Sequence, residues 1–189
     1  DVHGQENIPK QDGFMFFPNH QGLYDVLAIV EACTHPFSVV AKKEVENVPF
    51  LKQVFKIMKA FMIDREDVRQ AMKTITSVTK EVVSGRNYLI FPEGTRSKNG
   101  NNVGSFKGGS FKAATKAKCP IIPVALVDSF KPFDTNSTRP VTVQVHFLKP
   151  MLYEDYKDMK TMEIAAAVEQ QIQETINKNL TKEKVEEKC

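Results

Sequence analysis

The sequence contains 189 residues, a length that suits one domain with its own hydrophobic core. The net charge of +3 favours an anionic partner but is far below that of nucleic-acid-binding domains, so no nucleic-acid partner is expected. Three widely spaced cysteines argue against a disulfide framework and for a reducing compartment, and no cysteine or histidine pair has metal-site spacing. No apolar run approaches the roughly 18 residues that cross a bilayer.

The first half of the chain alternates short apolar runs with segments of helical periodicity. Apolar runs predict strands at residues 14–17, 37–41, 62–63 and 88–91. The spacing of apolar residues predicts helices at 26–32, 47–59 and 64–83, the last ended by Gly85. This last helix should direct five apolar side chains toward the core: Val68, Met72, Ile75, Val78 and Val82.

The second half begins with a glycine-rich loop over residues 94–109 and a short predicted helix over 110–118. The apolar run 121–127 is typical of a strand buried on both faces. Residues 141–147 alternate apolar and polar, which predicts a strand that is half exposed or lies at a sheet edge. A terminal helix over 159–180 and a charged tail over 182–189 complete the chain.

This order of elements, with no linker dividing it, predicts one α/β domain with a mostly parallel central sheet flanked by helices. The domain should occupy residues 1–189, with a motif-bearing core at 14–150 and the C-terminal helix and tail at 151–189. Ligands bind such sheets where loops leave the carboxyl ends of strands. Two polar loops do so here, at residues 18–20 and 92–96, and they should meet at one edge.

The first of these loops contains His20 and, five residues later, Asp25. On one continuous helix their directions would differ by about 140°, so they interact only if His20 lies in a turn before the helix that holds Asp25. Gly22 permits such a turn because glycine accepts unusual backbone angles. Asp25 would then fix the tautomer of His20, leaving the other ring nitrogen to accept a proton. The alternative is a loop histidine near an ordinary helix-start acid.

The second loop combines a strand end with a compact polar cluster. The Arg96 guanidinium suits a phosphate, and the Gly94 and Thr95 amides can help bind it. Lys107 adds positive charge nearby. The alternative is a solvated turn in which Glu93 and Arg96 form a surface ion pair worth about 0–1 kcal/mol.

Four blocks of this sequence together resemble the glycerolipid acyltransferase family, typified by bacterial 1-acylglycerol-3-phosphate acyltransferases. They are Asn19-His20 through Asp25, Met62-Ile63-Asp64-Arg65, Phe91-Pro92-Glu93-Gly94-Thr95-Arg96-Ser97 and Ile121-Ile122-Pro123-Val124-Ala125. The blocks occur in the family's order and extend over residues 14–127. The second block departs from the pattern, because Lys59 stands where a glycine usually begins it.

The resemblance implies acyl transfer from a thioester of coenzyme A or acyl carrier protein to the free hydroxyl of lysophosphatidate, giving phosphatidate. His20 would be the general base and Asp25 its orienting partner, with no metal and no bound cofactor. The acceptor phosphate would be bound by Arg65, Glu93, Gly94, Thr95 and Arg96. The site would be shaped by Asn19, Gly22, Ile122 and Pro123.

Other functions remain open on the sequence. The acceptor could be glycerol-3-phosphate or another lysophospholipid, and more distant alternatives are an acyl-thioester hydrolase and a non-catalytic lipid-binding protein. A membrane surface is an expected partner, at the cytoplasmic face of the cell membrane, with the chain peripheral or anchored by a segment upstream of it. The helix at 47–59 either turns Lys52, Lys56 and Lys59 toward anionic lipid or packs on the core with these lysines in solvent.

Overall fold

A computed structural model describes residues 1–45, 51–64, 66–135 and 138–186. Its described strands form one seven-stranded sheet in the order β1-β7-β6-β2-β5-β3-β4. Every neighbouring pair is parallel except β6 and β7. The predicted mostly parallel α/β sheet is therefore confirmed. The strands are β1 Val2–His3, β2 Met15–Pro18, β3 Phe37–Lys42, β4 Phe61–Ile63, β5 Asn87–Ile90, β6 Ile121–Val127 and β7 Gln144–Phe147.

Helices cover both faces of the sheet, and each predicted helix is present near its expected position. The helices are α1 Asp25–Ala32, α2 Leu51–Ile57, α3 Val68–Val83, α4 Lys112–Ala117, α5 Lys131–Asp134, α6 Tyr153–Tyr156 and α7 Thr161–Glu186. The short helices α5 and α6 were not predicted. Helix α7 continues through residues 182–186, which the sequence assigned to a tail. Among the described helices, none has both the length and the apolar character needed to span a membrane.

A separate hydrophobic core lies on each face of the sheet, as the side chains at the start of β2 illustrate. Met15 and Phe17 face the core that contains α3, α4 and α7, whereas Phe14 and Phe16 face the core that contains α1. This alternation follows from the two-residue period of a strand. Because β2 and β6 are central and every residue of β2 is buried, the loop after β2 leaves from the middle of the sheet.

Helix α3 begins later than predicted and is less buried at its start. The Asp67 side chain accepts hydrogen bonds from the amides of Arg69 and Gln70, which fixes the helix start at Val68. Ile75, Val78 and Val82 are buried as predicted, but Val68 and Met72 are 72% and 39% exposed. The first turns lie beside the edge strand β4, which they contact through the polar side chains of Gln70 and Thr74. The inward assignment of Val68 and Met72 was therefore wrong.

The prediction of a half-exposed or edge strand at 141–147 was also wrong for β7. All four residues of β7 are buried, because β1 pairs with it on the side away from β6. The polar side chains of Gln144 and His146 are accommodated by a mutual hydrogen bond of 2.8 Å. Alternating polarity here reflects satisfied buried polar groups rather than a solvent-facing side.

The core-facing interpretation of the lysine-rich helix is confirmed for Phe55 and Met58, which pack against the core that contains α1. Lys52 and Lys56 are exposed on α2, and Lys59 follows the helix in a left-handed conformation with φ of 53°. Residues 47–50 of the predicted helix lie outside the described residues. Ile57 is 81% exposed, so not every apolar residue of the segment faces the core.

Candidate active site

The carboxyl ends of β2, β5 and β6 meet at one edge of the sheet, as the two-loop prediction requires. The loop after β2 contains His20, the loop after β5 contains Glu93, and the turn after β6 contains Ser129. Hydrogen bonds join all three segments. The candidate site is therefore built by residues that are far apart in sequence and share one edge.

His20 and Asp25 form the expected pair. Nδ1 of His20 lies 2.7 Å from Oδ2 of Asp25, and the His20 side chain is 22% exposed whereas Asp25 is fully buried. His20 precedes α1 and Asp25 is the first residue of that helix, as the argument from helix geometry requires. A carboxylate only accepts hydrogen bonds, so Nδ1 carries the hydrogen and Nε2 is left as an acceptor. This is the tautomer that a general base needs.

The Asp25 carboxylate is held in place by backbone amides as well as by His20. Its oxygens accept from the amides of Gln21 at 2.7 Å and Gly22 at 3.0 and 3.1 Å. The Ser129 hydroxyl donates to Oδ1 at 2.6 Å. Such a set of donors satisfies a buried carboxylate and leaves it little freedom to reorient. The position of the His20 ring is thereby fixed.

The second loop holds the backbone of His20 on both sides. The His20 amide donates to Oε1 of Glu93 at 2.7 Å, and the His20 carbonyl accepts from the Ser97 amide at 2.7 Å. The His20 ring also stacks on Phe91, with ring centroids 3.9 Å apart. Two hydrogen bonds and a ring contact therefore join the two loops around the histidine.

The Glu93 carboxylate links the loop after β5 to the loop that holds His20. The side chain is buried, and its other oxygen accepts from the Gly104 amide at 3.0 Å. Burial raises the pKa of the Glu93 carboxyl above its ordinary value, an effect that the amides of His20 and Gly104 oppose. A buried carboxylate with two amide donors is suited to positioning the loops, and a negative charge is a poor partner for a phosphate.

Arg96 forms an ion pair, but not with Glu93. Its guanidinium lies 3.0 Å from Oδ1 of Asp134 on α5, with the two side chains 47% and 30% exposed. The other Asp134 oxygen accepts from the Leu23 amide at 3.0 Å. Arg96 thus lies beside the loop that holds His20, on the solvent side.

The other predicted phosphate-binding residues differ in their exposure to solvent. Gly94 is buried, with a left-handed φ of 77°, and Thr95 is exposed beside it. Lys107 is exposed, and its amide donates to the Pro92 carbonyl at 3.0 Å, which closes the glycine-rich loop onto β5's end. Arg65 lies outside the described residues.

Gly22 is important at this site for a different reason from the one predicted. Its backbone is not left-handed, so unusual backbone angles do not explain it. A Cβ atom there would lie 2.9 Å from Cα of Phe130 and would also collide with the Asp134 carboxylate. The glycine therefore permits the turn after β6 to approach the loop that holds His20.

The predicted site-shaping residues other than Gly22 lie at different positions along the sheet: Asn19, Ile122 and Pro123. The Asn19 side chain is buried and continues the sheet, accepting from the Leu126 amide at 2.8 Å and donating to its carbonyl at 3.1 Å. Ile122 and Pro123 are buried within β6, beside Phe16 and Phe17 of β2. They support the sheet beneath the site and lie further from His20 than the end of β6 does.

The turn after β6 supplies functional residues that the sequence reasoning missed. Ser129 is fully buried, and its amide donates to Oε1 of Gln21 at 2.9 Å, in addition to the hydroxyl's bond with Asp25. Gln21 in turn donates to Asn101, which bonds both the amide and the carboxylate of Asp128. The rule that ligands bind at carboxyl strand ends could have identified this turn, because residues 128–129 directly follow the buried strand β6.

Comparisons with known proteins identify the family of this chain. The sequence model of the acyltransferase family matches residues 1–127. The chain belongs to the acyltransferase family. It is 34% identical over 155 residues to a 1-acyl-sn-glycerol-3-phosphate acyltransferase of Borreliella burgdorferi, and 32% over 153 residues to one of Escherichia coli. Both alignments include 80% of this chain and 62% of the relative, so the chain spans about 62% of their length.

The fold of this acyltransferase-family chain also has a known counterpart. It superposes on the crystal structure of the 1-acyl-sn-glycerophosphate (LPA) acyltransferase from Thermotoga maritima with a TM-score of 0.79. The superposition includes 94% of this chain and 70% of that one, at 24% identity. The α/β architecture is thus one already seen in a solved structure.

Two further observations concern possible ligand sites elsewhere in this family member. Within residues 1–45, 51–64, 66–135 and 138–186, no group of three or more His, Cys, Asp or Glu side chains is placed to hold a metal ion. A cavity of about 420 Å³ lies at the amino ends of β3 and β5, lined in part by Asp12, Lys59 and Arg86. It is at the opposite edge of the sheet from His20 and contains none of the predicted site residues.

Proposed function

We propose that this chain transfers a fatty acyl group from an acyl thioester to the free hydroxyl of lysophosphatidate, giving phosphatidate. The observation that carries the proposal is the fixed His20–Asp25 pair, whose Nε2 is left as an acceptor beside a loop that contains an exposed arginine. Among the described residues, no serine or cysteine side chain is hydrogen-bonded to the His20 ring. The nucleophile is therefore the acceptor's own hydroxyl.

The proposed reaction needs one base and no covalent intermediate on the protein. His20 Nε2 accepts the proton of the acceptor hydroxyl as its oxygen bonds to the thioester carbonyl carbon. The resulting tetrahedral intermediate collapses with cleavage of the carbon–sulfur bond. The leaving thiolate takes the proton from the His20 imidazolium, so the histidine returns to its starting state. Asp25 stabilises that imidazolium and holds the ring in place.

The acceptor phosphate is assigned to Arg96. Its present partner, Asp134, is a half-exposed carboxylate, and such pairs are worth about 0–1 kcal/mol. A phosphate can therefore replace Asp134 at little cost and offers a bidentate partner for the guanidinium. We assign supporting roles to Thr95, the Gly94 amide, Lys107 and Arg65, and a positioning role to Glu93.

The identity of both substrates is part of the proposal. Relatives that are 34% and 32% identical to this chain over the aligned residues are named as 1-acyl-sn-glycerol-3-phosphate acyltransferases, which favours lysophosphatidate over glycerol-3-phosphate. The donor is a thioester of coenzyme A or of acyl carrier protein, and it acts as a substrate rather than as a bound cofactor. We further propose that the protein works at the cytoplasmic face of the cell membrane, where its lipid product is needed and where free thiols such as Cys33 persist.

Purified protein assayed with each donor and a panel of acceptors, with products resolved by mass, tests the proposal. Phosphatidate should form from lysophosphatidate, and His20→Ala should lower turnover by about 10²–10⁴-fold while the fold survives. Thiol release that is equally fast without an acceptor would indicate a hydrolase instead. Exclusive acylation of glycerol-3-phosphate would overturn the assigned acceptor, and near-normal turnover of His20→Ala would overturn the mechanism.

A further inference from the structure

Residues 103–107 of the glycine-rich loop connect the candidate site to helix α7, and we call them the strap. On the side of the site, the Gly104 amide donates to Oε2 of Glu93 at 3.0 Å. The Lys107 amide donates to the Pro92 carbonyl, also at 3.0 Å. Two strap amides are therefore bonded to the loop after β5.

Helix α7 accepts two other amides of the strap. Oε2 of Glu169 accepts from the Phe106 amide at 2.7 Å, and Oε1 of Gln173 accepts from the Val103 amide at 2.9 Å. Glu169 and Gln173 are four residues apart, so they lie on the same side of the helix. Ile172, beside Gln173 in sequence, is fully buried in the core. The strap is thus attached to a helix that is itself packed on the sheet.

Two glycines allow the strap region to approach its neighbours closely on both sides. A Cβ atom at Gly104 would collide with the Glu93 carboxylate. One at Gly108 would lie 3.0 Å from the carbonyl carbon of Thr161 and 3.0 Å from the nitrogen of Met162, at the start of α7. Neither glycine has a left-handed backbone, so both are explained by packing. The glycines fit this loop between Glu93 and α7.

The connection continues from Glu93 to the histidine. Oε1 of Glu93 accepts from the His20 amide at 2.7 Å, and Oε2 accepts from the Gly104 amide of the strap. Because Glu93 is buried, no solvent replaces a lost donor, and a buried carboxylate that lacks a donor is costly. If the strap moved, Glu93 would turn to recover a donor and would no longer hold the His20 backbone in place.

We propose that Glu169 and Gln173 are positioning residues for acyl transfer, acting on His20 through the strap and Glu93. The inference rests on the proposed role of His20 as the general base. Neither residue touches the substrate, and together they keep Nε2 of His20 where the acceptor hydroxyl needs it. Helix α7 lies outside residues 1–127, which the sequence model of the family matches, so this role extends the site beyond that region.

Glu169→Ala should lower kcat and kcat/KM by the same factor, at least fivefold, because a misplaced base affects the transition state and not acceptor binding at Arg96. Glu169→Gln keeps an oxygen that accepts from the Phe106 amide and should restore at least half of the wild-type kcat. Glu174→Ala is the matched control, since this exposed carboxylate accepts from Gln170 of the same helix. A loss confined to KM, or an equal loss in Glu169→Gln, would overturn the proposal.

A double variant separates the strap from general destabilisation. The side chain in Glu93→Gln has one oxygen and accepts from only one of the two amides, so the connection is already broken there. Adding Glu169→Ala to Glu93→Gln should therefore cost less than twofold in kcat, since substitutions within one chain of contacts are not additive. The full fivefold loss in this background would show that Glu169 acts by another route and would refute the proposed connection.

Amide hydrogen exchange, followed by NMR without substrate, tests the connection independently of activity. In Glu169→Ala the amides of Gly104 and His20 should exchange at least fivefold faster than in the wild type. Gln173→Ala should show the same change and replaces Glu169→Ala if that variant does not fold. Unchanged exchange would overturn the proposal. If the wild type does not acylate lysophosphatidate, the proposed function fails, and these exchange rates alone decide whether the strap holds His20.

Discussion

The hydroxyl of Ser129 donates to Oδ1 of Asp25 at 2.6 Å, joining residues 104 positions apart in the chain. Both residues are fully buried, so no solvent competes for this bond. Asp25 in turn bonds Nδ1 of His20, and Ser129 therefore acts on the histidine through the carboxylate. It is a positioning residue, because it does not touch His20 itself.

Ser129→Ala should lower kcat about tenfold with little change in KM. A hydrogen bond to a charged group is worth about 1.5–3 kcal/mol, and its loss leaves Asp25 freer to turn away from His20. Steady-state kinetics with separate kcat and KM values measure this. Ser84→Ala is the matched control, since the Ser84 hydroxyl bonds only a carbonyl at the exposed end of α3. An effect confined to KM, or none, would contradict the positioning role.

Glu93→Gln should show how far the buried charge of Glu93 lowers the free energy of unfolding. The pKa of Glu93 is raised by burial, so the folded chain binds this proton more readily than the unfolded chain does. The ionised side chain lowers stability at neutral pH, and this cost disappears as the pH falls through the raised pKa toward the ordinary value of 4.5.

Relative to Glu93→Gln, the wild type should therefore gain free energy of unfolding as the pH is lowered from 7 to 4.5. The slope should not exceed about 1.4 kcal/mol per pH unit, the limit for one proton. Urea titrations of the wild type and of Glu93→Gln at each pH measure the difference in free energy of unfolding. A wild type that loses free energy of unfolding relative to Glu93→Gln as the pH is lowered would mean that the pKa of Glu93 is lowered instead.

Gly22→Ala should destabilise the chain by about 1–3 kcal/mol and reduce activity at least tenfold. The added methyl group meets the backbone of Phe130, which has no flexible end to move aside, so the turn after β6 must shift. That shift pulls Ser129 away from Asp25. Thermal melting and turnover measure the two effects. Gly109→Ala, where nothing lies within 4 Å of the new Cβ, should change neither, and equal behaviour of the two variants would refute the close-approach explanation.

These residues show which parts of the site the sequence could predict. The His20–Asp25 geometry followed from helix periodicity, because both residues belong to one local turn. Gly22 was recognised, but its reason depends on Phe130, more than a hundred residues later. The Ser129 contact has no local signature at all. Such contacts depend on long-range packing, and a single sequence does not indicate which distant residues are in contact.

The fold likewise has features that local sequence patterns predict and features that depend on distant parts of the chain. Strand and helix positions followed from local apolar patterns, and the parallel sheet followed from their order. The burial of β7 depended on β1, a two-residue strand too short to give a pattern. The exposure of Val68 and Met72 depended on where α3 lies relative to the edge strand β4. The ion pair between Arg96 and Asp134 could not be predicted, because Asp134 lies on a short helix that was itself not predicted.

Arg96→Ala should raise KM for lysophosphatidate at least tenfold while leaving KM for the acyl donor unchanged. The guanidinium is the proposed phosphate partner, and its ion pair with Asp134 is half exposed, so stability should change by no more than about 1 kcal/mol. Arg86→Ala is a matched control, because Arg86 forms an equally short pair with Glu81, 3.0 Å apart, at the opposite edge of the sheet. Its kinetics should be those of the wild type. A change confined to the donor, or an equal loss with an acceptor that lacks the phosphate, would show that Arg96 does not bind the acceptor's phosphate.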